Sequence, residues 1–391
     1  MKNVLIVGGS SGIGRAIAIY LVKQGIKNIE IIDKKIADNS GLDAETICLL
    51  NKYTKHTLLN LNNEEFEIFD RYDSIDTLII TAGFGRVALF EDLLDYEINN
   101  LIKCNELAPI RIIKKFFNRI KSNQDFNCAV MVSIAGRLVS PYFSVYGATK
   151  AALSMFIESI NCELAASGYK NRILDCSPGN IAGTAFNNHN NDYSKTIELA
   201  ENIVNNMLKK ETLFIPDYDE IYSSVIERYK RNPLEYGLHS FNYKKESGRI
   251  ITRPQSTIGY LSGTFDLFHI GHLNILKNAK NYCDYLIVGI HENGSWKGKE
   301  TFIPLKERKE IVAACKYVDR VVDSCPEDSD AWILWNFDVL IVGSDYKNSD
   351  RFKKYEEFFK DKNVEIVYLP YTKTTSSTQL RMRLTNSGKD I

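Results

Sequence analysis

The chain has 391 residues, of which 44% are hydrophobic and 25% are charged, a composition typical of soluble globular proteins. This length exceeds that of one ordinary domain, so we expect two or three domains. Lysine plus arginine and aspartate plus glutamate each total 49, so the formal net charge is zero. That balance argues against bulk electrostatic binding to nucleic acid or to an anionic membrane.

The sequence also bears on where the protein works. No apolar run has the length needed to span a bilayer. Val4–Val7, the first apolar run, is too short for the core of a signal peptide and predicts a first strand instead. The eight cysteines are scattered without a CxxC pair, which indicates reduced thiols rather than disulfides or a zinc site. We therefore expect a cytoplasmic protein that holds no metal with its own side chains.

A glycine-rich turn follows the first strand directly and opens a helical pattern. Its glycines, Gly8, Gly12 and Gly14, are spaced to form a tight turn, admit a pyrophosphate to the backbone and pack a helix closely on a sheet. The next strand, Ile29–Ile32, ends in Asp33, 19 residues after Gly14, where an acid can bond the adenosine ribose of a dinucleotide. Ordinary turns also use glycine, so it is the combination of glycines, strand, helix and acid that indicates dinucleotide binding.

Strand and helix patterns then alternate through the first half of the chain, which predicts a doubly wound parallel sheet. The segments are Thr57–Leu61, Thr77–Thr81, Ile98–Phe117, Ala129–Ser133, Tyr146–Ala166 and Ile173–Cys176.

Three residues of these segments can carry chemistry. Tyr146 and Lys150 are four apart on one helix face, so the ammonium lies beside the phenol and can lower its pKa. Such a phenol can exchange a proton with a carbinol oxygen while hydride moves to or from a nicotinamide. Ser133, at a strand end, would hold the substrate oxygen. Taken alone, the tyrosine–lysine pair is more often an ordinary contact on a helix face, which is common by chance.

Residues 1–235 resemble the classical short-chain dehydrogenases/reductases through the GxxxGxG of Gly8–Gly14 and the YxxxK of Tyr146–Lys150. The resemblance implies that Tyr146 is the general acid/base and that Lys150 binds the nicotinamide ribose and lowers the tyrosine pKa. It also implies that Ser133 orients the carbonyl and that Asn105 supports the lysine through a water. The residues implied to bind the cofactor are Gly8, Ser10, Ser11, Gly12, Ile13, Gly14, Asp33, Asn60, Ala82, Gly83, Lys150, Pro178, Gly179, Ile181 and Thr184.

Two positions depart from that family. Its Asn-Asn-Ala-Gly motif reads Ile-Thr-Ala-Gly at residues 80–83, and its aspartate after the third strand is Asn60. The choice between NAD and NADP stays open, because Asp33 favours the ribose of NAD whereas Lys34 and Lys35 can receive a 2′-phosphate.

A second domain is expected at residues 256–391, after a linker at 236–255 that is rich in charge and lacks clear periodicity. Its first strand leads into GTFDLFHIGH, and an amphipathic helix follows. His269 and His272 lie three apart at the start of this helix, and Gly271 lets a ligand approach the backbone closely. Together with the helix N-terminus they form a predicted anion site. The alternative is one surface histidine and one satisfied core histidine.

The rest of the second half again alternates strands and helices, which predicts another small parallel α/β domain. Further candidate groups lie at predicted strand ends, where open α/β sheets bind ligands. They are Lys297, Lys299, Arg308, Asp345 and the Thr/Ser run at 372–378. Each is also explicable as a solvated charge or a helix cap.

This half resembles the nucleotidyltransferases with an HxGH motif, in particular the glycerol-3-phosphate cytidylyltransferase-like group. The resemblance implies that His269 and His272 stabilise the α-phosphate of CTP while a substrate phosphate attacks it, with Mg²⁺ on the triphosphate. The family's leading arginine of the last motif is Tyr371 here, so phosphate binding there falls to Lys373 or Arg381 or is weakened. The residues implied to bind the nucleotide are Gly263, Thr264, Phe265, His269, His272, Lys297, Lys299, Arg308, Asp345, Ser376, Ser377 and Thr378.

Together the two resemblances predict an α/β protein with two doubly wound, Rossmann-like domains in tandem. The function they imply is a bifunctional enzyme that makes a CDP-alditol for cell-surface polysaccharides. It would combine cytidylyl transfer to a sugar phosphate, such as fructose 6-phosphate or ribulose 5-phosphate, with NAD(P)H-dependent reduction of the keto group. The alternatives are a cytidylyltransferase whose reductase domain is only a scaffold, or the use of a different nucleoside triphosphate. Both families commonly pair subunits, so a homo-oligomer is expected, with CTP and a sugar phosphate as partners and no nucleic acid or membrane.

Overall fold

A computed structural model describes residues 1–184, 186, 191–248, 250, 256–292, 300–370 and 379–382. The chain divides into two compact units, Met1–Pro254 and Gln255–Ile391, which are described separately below as the first and second units. In the described part of the chain, no helix combines the length and the apolar character required to cross a membrane.

The first unit is built on a seven-stranded parallel sheet with strand order β3-β2-β1-β4-β5-β6-β7. Because β1 lies between β2 and β4, the strand order reverses beside it and a crevice opens at the carboxyl ends of β1 and β4. The strands are β1 Asn3–Val7, β2 Asn28–Asp33, β3 Thr54–Leu58, β4 Thr77–Ile80, β5 Asn127–Met131, β6 Ile173–Cys176 and β7 Leu213–Phe214.

Helices cover both faces of this sheet, as the uninterrupted apolar strands require. Leu5 and Val7 of β1 belong to the core beneath one layer of helices, whereas Val4 and Ile6 belong to the core on the opposite face. The helices of the first unit are α1 Gly12–Lys23, α2 Ala44–Tyr53, α3 Asp95–Ile102, α4 Ala108–Ile120, α5 Ser144–Ala166, α6 Ile197–Leu208, α7 Ser223–Arg231 and α8 Pro233–Glu246.

Two segments of the first unit differ from the sequence-based expectation. The single helix predicted over Ile98–Phe117 is α3 and α4 joined by a π turn at Lys103–Leu107. Part of the expected linker at 236–255 is the helix α8, which has no continuous apolar stripe and was therefore missed. Asn232 caps α8, and the ring of Phe241 stacks on Tyr142 at 4.8 Å. Lys244 of the same helix donates to the Ser140 hydroxyl at 2.7 Å and to the Pro141 carbonyl at 2.8 Å, so α8 packs against the segment before α5.

The second unit has a five-stranded parallel sheet with strand order β10-β9-β8-β11-β12. Its strands are β8 Ile258–Gly263, β9 Tyr285–Ile290, β10 Arg320–Asp323, β11 Val339–Gly343 and β12 Glu365–Leu369, and its helices are α9 Ile270–Ala279, α10 Leu305–Ala313, α11 Asp328–Trp335 and α12 Asp350–Phe359. The order reverses between β8 and β11, which places the loop after β8 at the switch point. The prediction of two doubly wound α/β domains in tandem is confirmed.

Candidate active sites

The glycine-rich turn after β1 is packed too tightly for any side chain at two of its three motif positions. Gly8 has φ +93°, and a Cβ there would lie 2.3 Å from the backbone nitrogen of Ala82. A Cβ on Gly14 would lie 2.2 Å from the carbonyl oxygen of Gly8. At Gly12, with φ +53°, the nearest atom to a Cβ is Thr184 Cβ at 4.0 Å. The turn therefore packs directly against Thr81 and Ala82, which follow β4, while space remains at Gly12, next to Thr184.

Polar groups around this turn suit a dinucleotide. Asp33, at the end of β2, accepts a hydrogen bond from the Ser10 backbone N–H at 3.0 Å, so its carboxylate lies against the turn. The Ser10 hydroxyl is buried and has no hydrogen-bond partner among the described residues. The Asn191 side chain accepts from the Gly12 N–H at 3.1 Å. Ser11 and Ile13 lie in the same turn, where α1 begins.

Arg15 was not predicted as a site residue, yet it lies beside the turn. It is 1% exposed, and it donates one hydrogen bond to the Asn39 side chain. Its Nε and Nη1 have no hydrogen-bond partner within the described residues, and burial lowers its pKa. The signal in the sequence was an arginine inside the buried run of α1, where an apolar residue is normal.

The structure brings the predicted catalytic residues of the first unit together. The Ser133 side chain lies close enough to the Tyr146 phenol to lower its pKa, and the Lys150 Nζ lies 5.8 Å from the centre of the Tyr146 ring. Lys150 donates to the Met131 carbonyl at 2.8 Å. Burial raises the pKa of Tyr146 to about 12 and lowers that of Lys150 to about 8. The tyrosine–lysine spacing predicted a lowered tyrosine pKa, whereas in the structure burial raises it.

Aromatic residues line this site, and no motif in the sequence indicated them. The Tyr146 ring lies between Phe143 at 5.2 Å and Phe186 at 5.5 Å, measured between ring centroids. Gly85 makes room for it, since a Cβ there would lie 2.9 Å from the Tyr146 ring. The tyrosine is therefore held in one orientation by packing.

Asn105 lies in the π turn between α3 and α4, a distortion that often marks functional sites. Its side chain accepts from the Phe84 N–H at 3.0 Å and donates to the Phe84 carbonyl at 2.8 Å. A Cβ on Gly83 would lie 3.2 Å from the Asn105 Oδ1 and 3.4 Å from the Lys150 Nζ. In this arrangement Asn105 fixes the backbone beside Lys150 rather than contacting the lysine through its own side chain.

The remaining predicted cofactor residues fall into two places. Asn60 is buried and accepts from the Asn62 N–H at 3.1 Å, so it caps a turn after β3. The segment after β6 approaches Gly12 through Thr184, whose hydroxyl donates to the Ile181 carbonyl at 3.1 Å. In the same segment Gly179, which follows Pro178, lies under the Tyr222 hydroxyl, where a Cβ would clash at 1.5 Å.

In the second unit the two motif histidines form the N-terminus of α9. His269 is the N-cap, and its Nδ1 accepts from the Gly271 N–H at 3.0 Å. The His272 Nδ1 faces the His269 N–H at 3.4 Å, and the two rings stack with centroids 4.0 Å apart. Since each Nδ1 accepts, each neutral ring carries its proton on Nε2; this tautomer follows from the hydrogen-bond pattern.

Burial decides the charge of both rings. It lowers the pKa of His272 to about 3, with a smaller contribution from His269, and it also lowers the pKa of His269. Both imidazoles are therefore neutral near pH 7. They are Nε2–H donors at a helix N-terminus, where backbone N–H groups and the helix dipole favour an anion.

The loop before the histidines has a strained backbone. Phe265 has φ +51° and Leu267 has φ +49°, a region that non-glycine residues seldom adopt. Phe265 is buried, and its ring lies 5.2 Å from that of His272. A Cβ on Gly263 would lie 2.8 Å from the Phe265 ring. The surrounding packing holds the loop in this conformation.

Arg308 differs from its predicted role. It was expected to bind phosphate, but it is fully buried and faces backbone carbonyls. It donates to Thr264 at 2.6 Å, to His291 at 2.8 Å, to Glu292 at 2.6 Å and to Ile303 at 2.8 Å. In this conformation the guanidinium anchors the motif loop to the end of β9 instead of facing the site.

A buried acid of the motif, Asp266, was also overlooked. It accepts from the backbone N–H groups of Phe302, at 3.1 Å, and Ile303, at 2.9 Å, and forms an ion pair with Arg381. Arg381, one of two residues considered for phosphate binding, is thereby tied to the motif loop.

The other predicted nucleotide residues are only partly covered by the structure. Asp345 is exposed directly after β11, at the carboxyl end of the sheet. Lys297, Lys299, Tyr371, Lys373, Ser376, Ser377 and Thr378 lie outside the described residues. Among the described residues, no three His, Cys, Asp or Glu side chains are grouped so as to hold a metal ion.

Comparison with known proteins finds a matching family model in each unit. Residues 2–194 match the family model described as short chain dehydrogenase, and residues 260–383 match that described as cytidylyltransferase-like. A short-chain dehydrogenase from Sphingobium yanoikuyae in complex with NADPH is similar in structure, with 23% sequence identity and a TM-score of 0.48 over 60% of this chain and 95% of that chain.

Two curated relatives are similar in sequence to the second unit. Glycerol-3-phosphate cytidylyltransferase of Bacillus subtilis is 36% identical over 123 residues, which cover 30% of this chain and 90% of that protein. Ethanolamine-phosphate cytidylyltransferase of Arabidopsis thaliana is 38% identical over 109 residues, which cover 27% of this chain and only 26% of the plant protein. The predicted resemblances are confirmed, and both are to families of enzymes. Residues 2–194 match the short chain dehydrogenase model, and through residues 260–383 the chain belongs to the cytidylyltransferase-like family.

Proposed function

We propose that this chain is a bifunctional enzyme that makes a CDP-alditol. The second unit transfers a cytidylyl group from CTP to a sugar phosphate, and the first unit reduces a keto group with NADH or NADPH. The observation that carries this proposal is that one chain holds a buried Ser133–Tyr146–Lys150 group and a stacked His269–His272 pair. Each set supports one of the two proposed reactions.

The histidine pair suits transfer of a nucleotidyl group. The attack of a phosphate oxygen on the α-phosphorus of CTP forms one P–O bond and breaks another, releasing pyrophosphate, while negative charge concentrates on the equatorial oxygens. Two Nε2–H donors at the start of α9 stabilise that charge. Because both rings are neutral, they do not repel the Mg²⁺ that accompanies the triphosphate. Mg²⁺ enters the proposal only as the companion of the triphosphate.

The first unit suits carbonyl reduction. The open space above Gly12 and the buried Ser10 hydroxyl fit the pyrophosphate and adenosine parts of a dinucleotide. NAD(P)H supplies the hydride. Tyr146 then gives its proton to the developing alkoxide, Ser133 orients the carbonyl oxygen, and Lys150 stabilises the phenolate that is left. A raised phenol pKa in the buried site keeps Tyr146 protonated until that step.

The substrate should carry both a phosphate and a ketone. The relatives are named for glycerol 3-phosphate and ethanolamine phosphate, which supports a small phosphorylated acceptor. A reductase in the same chain supports a ketose phosphate, such as fructose 6-phosphate or ribulose 5-phosphate, as the precursor of that acceptor. The product would donate a polyol phosphate to a cell-surface polysaccharide. The protein is proposed to work in the cytoplasm as a homo-oligomer.

The test is an assay of the full chain with CTP, Mg²⁺, NADH or NADPH and a panel of ketose phosphates, followed by mass spectrometry of the products. A CDP-alditol that needs both CTP and reduced cofactor is the expected result. Leaving out each nucleotide in turn shows whether reduction precedes or follows cytidylyl transfer, and replacing CTP by ATP tests the choice of triphosphate. The proposal would be contradicted if no cytidylylated product formed and no ketose-dependent oxidation of NAD(P)H occurred.

A further inference from the structure

A buried side-chain network lies next to the reductase site and contains none of the predicted site residues. At its centre is Asp175 in β6, which is 2% exposed. Its Oδ2 accepts from the Arg137 Nη2 and the Ser154 hydroxyl, both at 2.7 Å, and its Oδ1 accepts from the Ser177 hydroxyl at 2.6 Å. Arg137 also donates to Ser154 at 2.9 Å. Each carboxylate oxygen therefore has a donor.

This network connects the three chain segments that carry the reductase residues. Arg137 follows the short 3₁₀ turn that begins at Ser133. Ser154 lies one helical turn after Lys150 on the same face of α5. Ser177 directly follows β6, at the start of the segment predicted to contact the cofactor.

Backbone contacts make the position of the Ser133 turn depend on its neighbours. The Ile134 N–H donates to the Pro178 carbonyl at 3.0 Å. A Cβ on Gly136 would lie 2.6 Å from the carbonyl carbon of Lys150, so the turn rests directly on α5. Arg137 continues this turn and is drawn toward β6 by its ion pair. A shift of Arg137 would therefore move the turn relative to Lys150.

The network also places a carboxylate near the buried ammonium. The titratable groups that raise the pKa of Lys150 are Cys104 from the π turn and Asp175 from β6, with Arg137 paired to Asp175. The centre of the Tyr146 ring, on the same helix, lies 5.8 Å from the Lys150 Nζ. Burial opposes the charged form of Lys150, whereas Asp175 favours it.

We propose that Arg137 and Asp175 are positioning residues of the reductase site, holding the Ser133 turn against α5 and providing the negative charge beside Lys150. The inference rests on the proposed carbonyl reduction. A buried ion pair can instead be only structural, and breaking one is costly wherever it lies. The experiment must therefore separate loss of position and charge at the site from loss of stability.

The decisive variant is Asp175→Asn, which keeps the shape but removes the charge. We expect kcat for ketone reduction to fall by about 10- to 100-fold with little change in the KM for NAD(P)H. The alkaline limit of the pH–rate profile should move to lower pH, because Lys150 loses its proton more easily without the carboxylate. Arg137→Lys keeps a positive charge and should restore most of the rate that Arg137→Met loses.

Asn161→Ala is the matched control. Asn161 also links α5 to β6, accepting from the Ile173 N–H at 2.9 Å and donating to the Ile173 carbonyl at 2.8 Å, but it lies away from the turn. It should lower the melting temperature without moving the pH–rate profile. If Asp175→Asn behaves like this control, with an unchanged profile and rate, the positioning role is wrong.

A second measurement does not need a known substrate. Hydrogen exchange detected by mass spectrometry should be at least about tenfold faster in Asp175→Asn than in wild type for the peptide carrying the Ile134 and Gly136 amides, and unchanged there in Asn161→Ala. Unchanged exchange in Asp175→Asn would overturn the inference. A wild-type chain that reduces no ketose phosphate would instead count against the proposed function while leaving this readout intact.

Discussion

The imidazole rings of His269 and His272 stack with their centroids 4.0 Å apart and an interplanar angle of 26°, and each presents Nδ1 to the backbone at the start of α9. One hydrogen-bonding pattern thus caps the helix, selects the tautomer and directs two Nε2–H donors to the same side. The same two side chains cap the helix and provide the proposed catalytic donors, and a suitable substitution can separate these two roles.

His269→Asn should separate capping from catalysis. Asparagine is a good N-cap, so stability should be kept, but it has no donor in the place of Nε2–H. We expect cytidylyl transfer, followed as CTP-dependent pyrophosphate release, to fall by about 10²- to 10³-fold. His269→Ala should lose the same activity and also destabilise the second unit by about 1 kcal/mol. Transfer at the wild-type rate in His269→Asn would show that this ring is only a cap.

The stability of the second unit should depend on pH through His272. Its pKa is about 3 in the folded chain, below its ordinary value of 6.5, so the unfolded chain binds the proton first as pH falls. Stability should be constant above pH 6.5 and should fall from there toward pH 3, by at most ~1.4 kcal/mol per pH unit. All three tryptophans of the chain lie within Gln255–Ile391, so urea unfolding followed by tryptophan fluorescence reports this unit alone. His272→Asn should flatten the dependence, and an equally steep curve in that variant would contradict the assignment.

Tyr146→Phe should abolish one activity and spare the other. Removing the hydroxyl removes the proton donor, so ketose-dependent oxidation of NAD(P)H should fall by at least about 10²-fold while pyrophosphate release stays unchanged. Phe143→Leu is a packing control, because it changes a ring 5.2 Å from Tyr146 but leaves the hydroxyl in place. If Tyr146→Phe reduces the ketose as fast as wild type, the first unit does not use this tyrosine as its acid.

Gly14→Ala should disrupt the dinucleotide site. Its Cβ would lie 2.2 Å from the Gly8 carbonyl oxygen and 2.4 Å from the Thr81 hydroxyl, so the turn must move away from α1. A loss of about 1–3 kcal/mol in stability and weaker binding of NAD(P)H, measured by cofactor fluorescence, should follow. Gly25→Ala is the matched control: no atom lies within 4 Å of its Cβ, and only its positive φ resists the change, so cofactor binding should be retained.

Arg308→Met should show that this arginine acts as an anchor. Removing the guanidinium leaves the carbonyls of Thr264, His291, Glu292 and Ile303 without that donor, so the second unit should lose about 2–4 kcal/mol. Lys309→Met, at the next residue, removes only an exposed ion pair with Asp323 and should change stability by less than about 0.5 kcal/mol. If urea unfolding gives equal midpoints for the two variants, the anchoring role is wrong.

Patterns in the linear sequence were enough to predict the architecture and both reaction classes. The motifs that carried these predictions are local: the glycine spacing, the tyrosine–lysine pair and GTFDLFHIGH. Each depends only on residues within one or two turns of the chain, so it can be recognised in the linear sequence. The glycine contacts on β4 and the capping by His269 occur where these patterns place them.

Which polar residues face a site and which support one became visible only in the folded chain. Arg308 was predicted to bind phosphate because it is a cation near a strand end. Its four carbonyl partners come from segments before and after β9. Its burial therefore could not be predicted from the residues next to it in the sequence. Asp175 and Arg137 likewise meet across 38 residues of chain. Long-range pairing satisfies buried charges, and a linear pattern does not show which distant partner will do so.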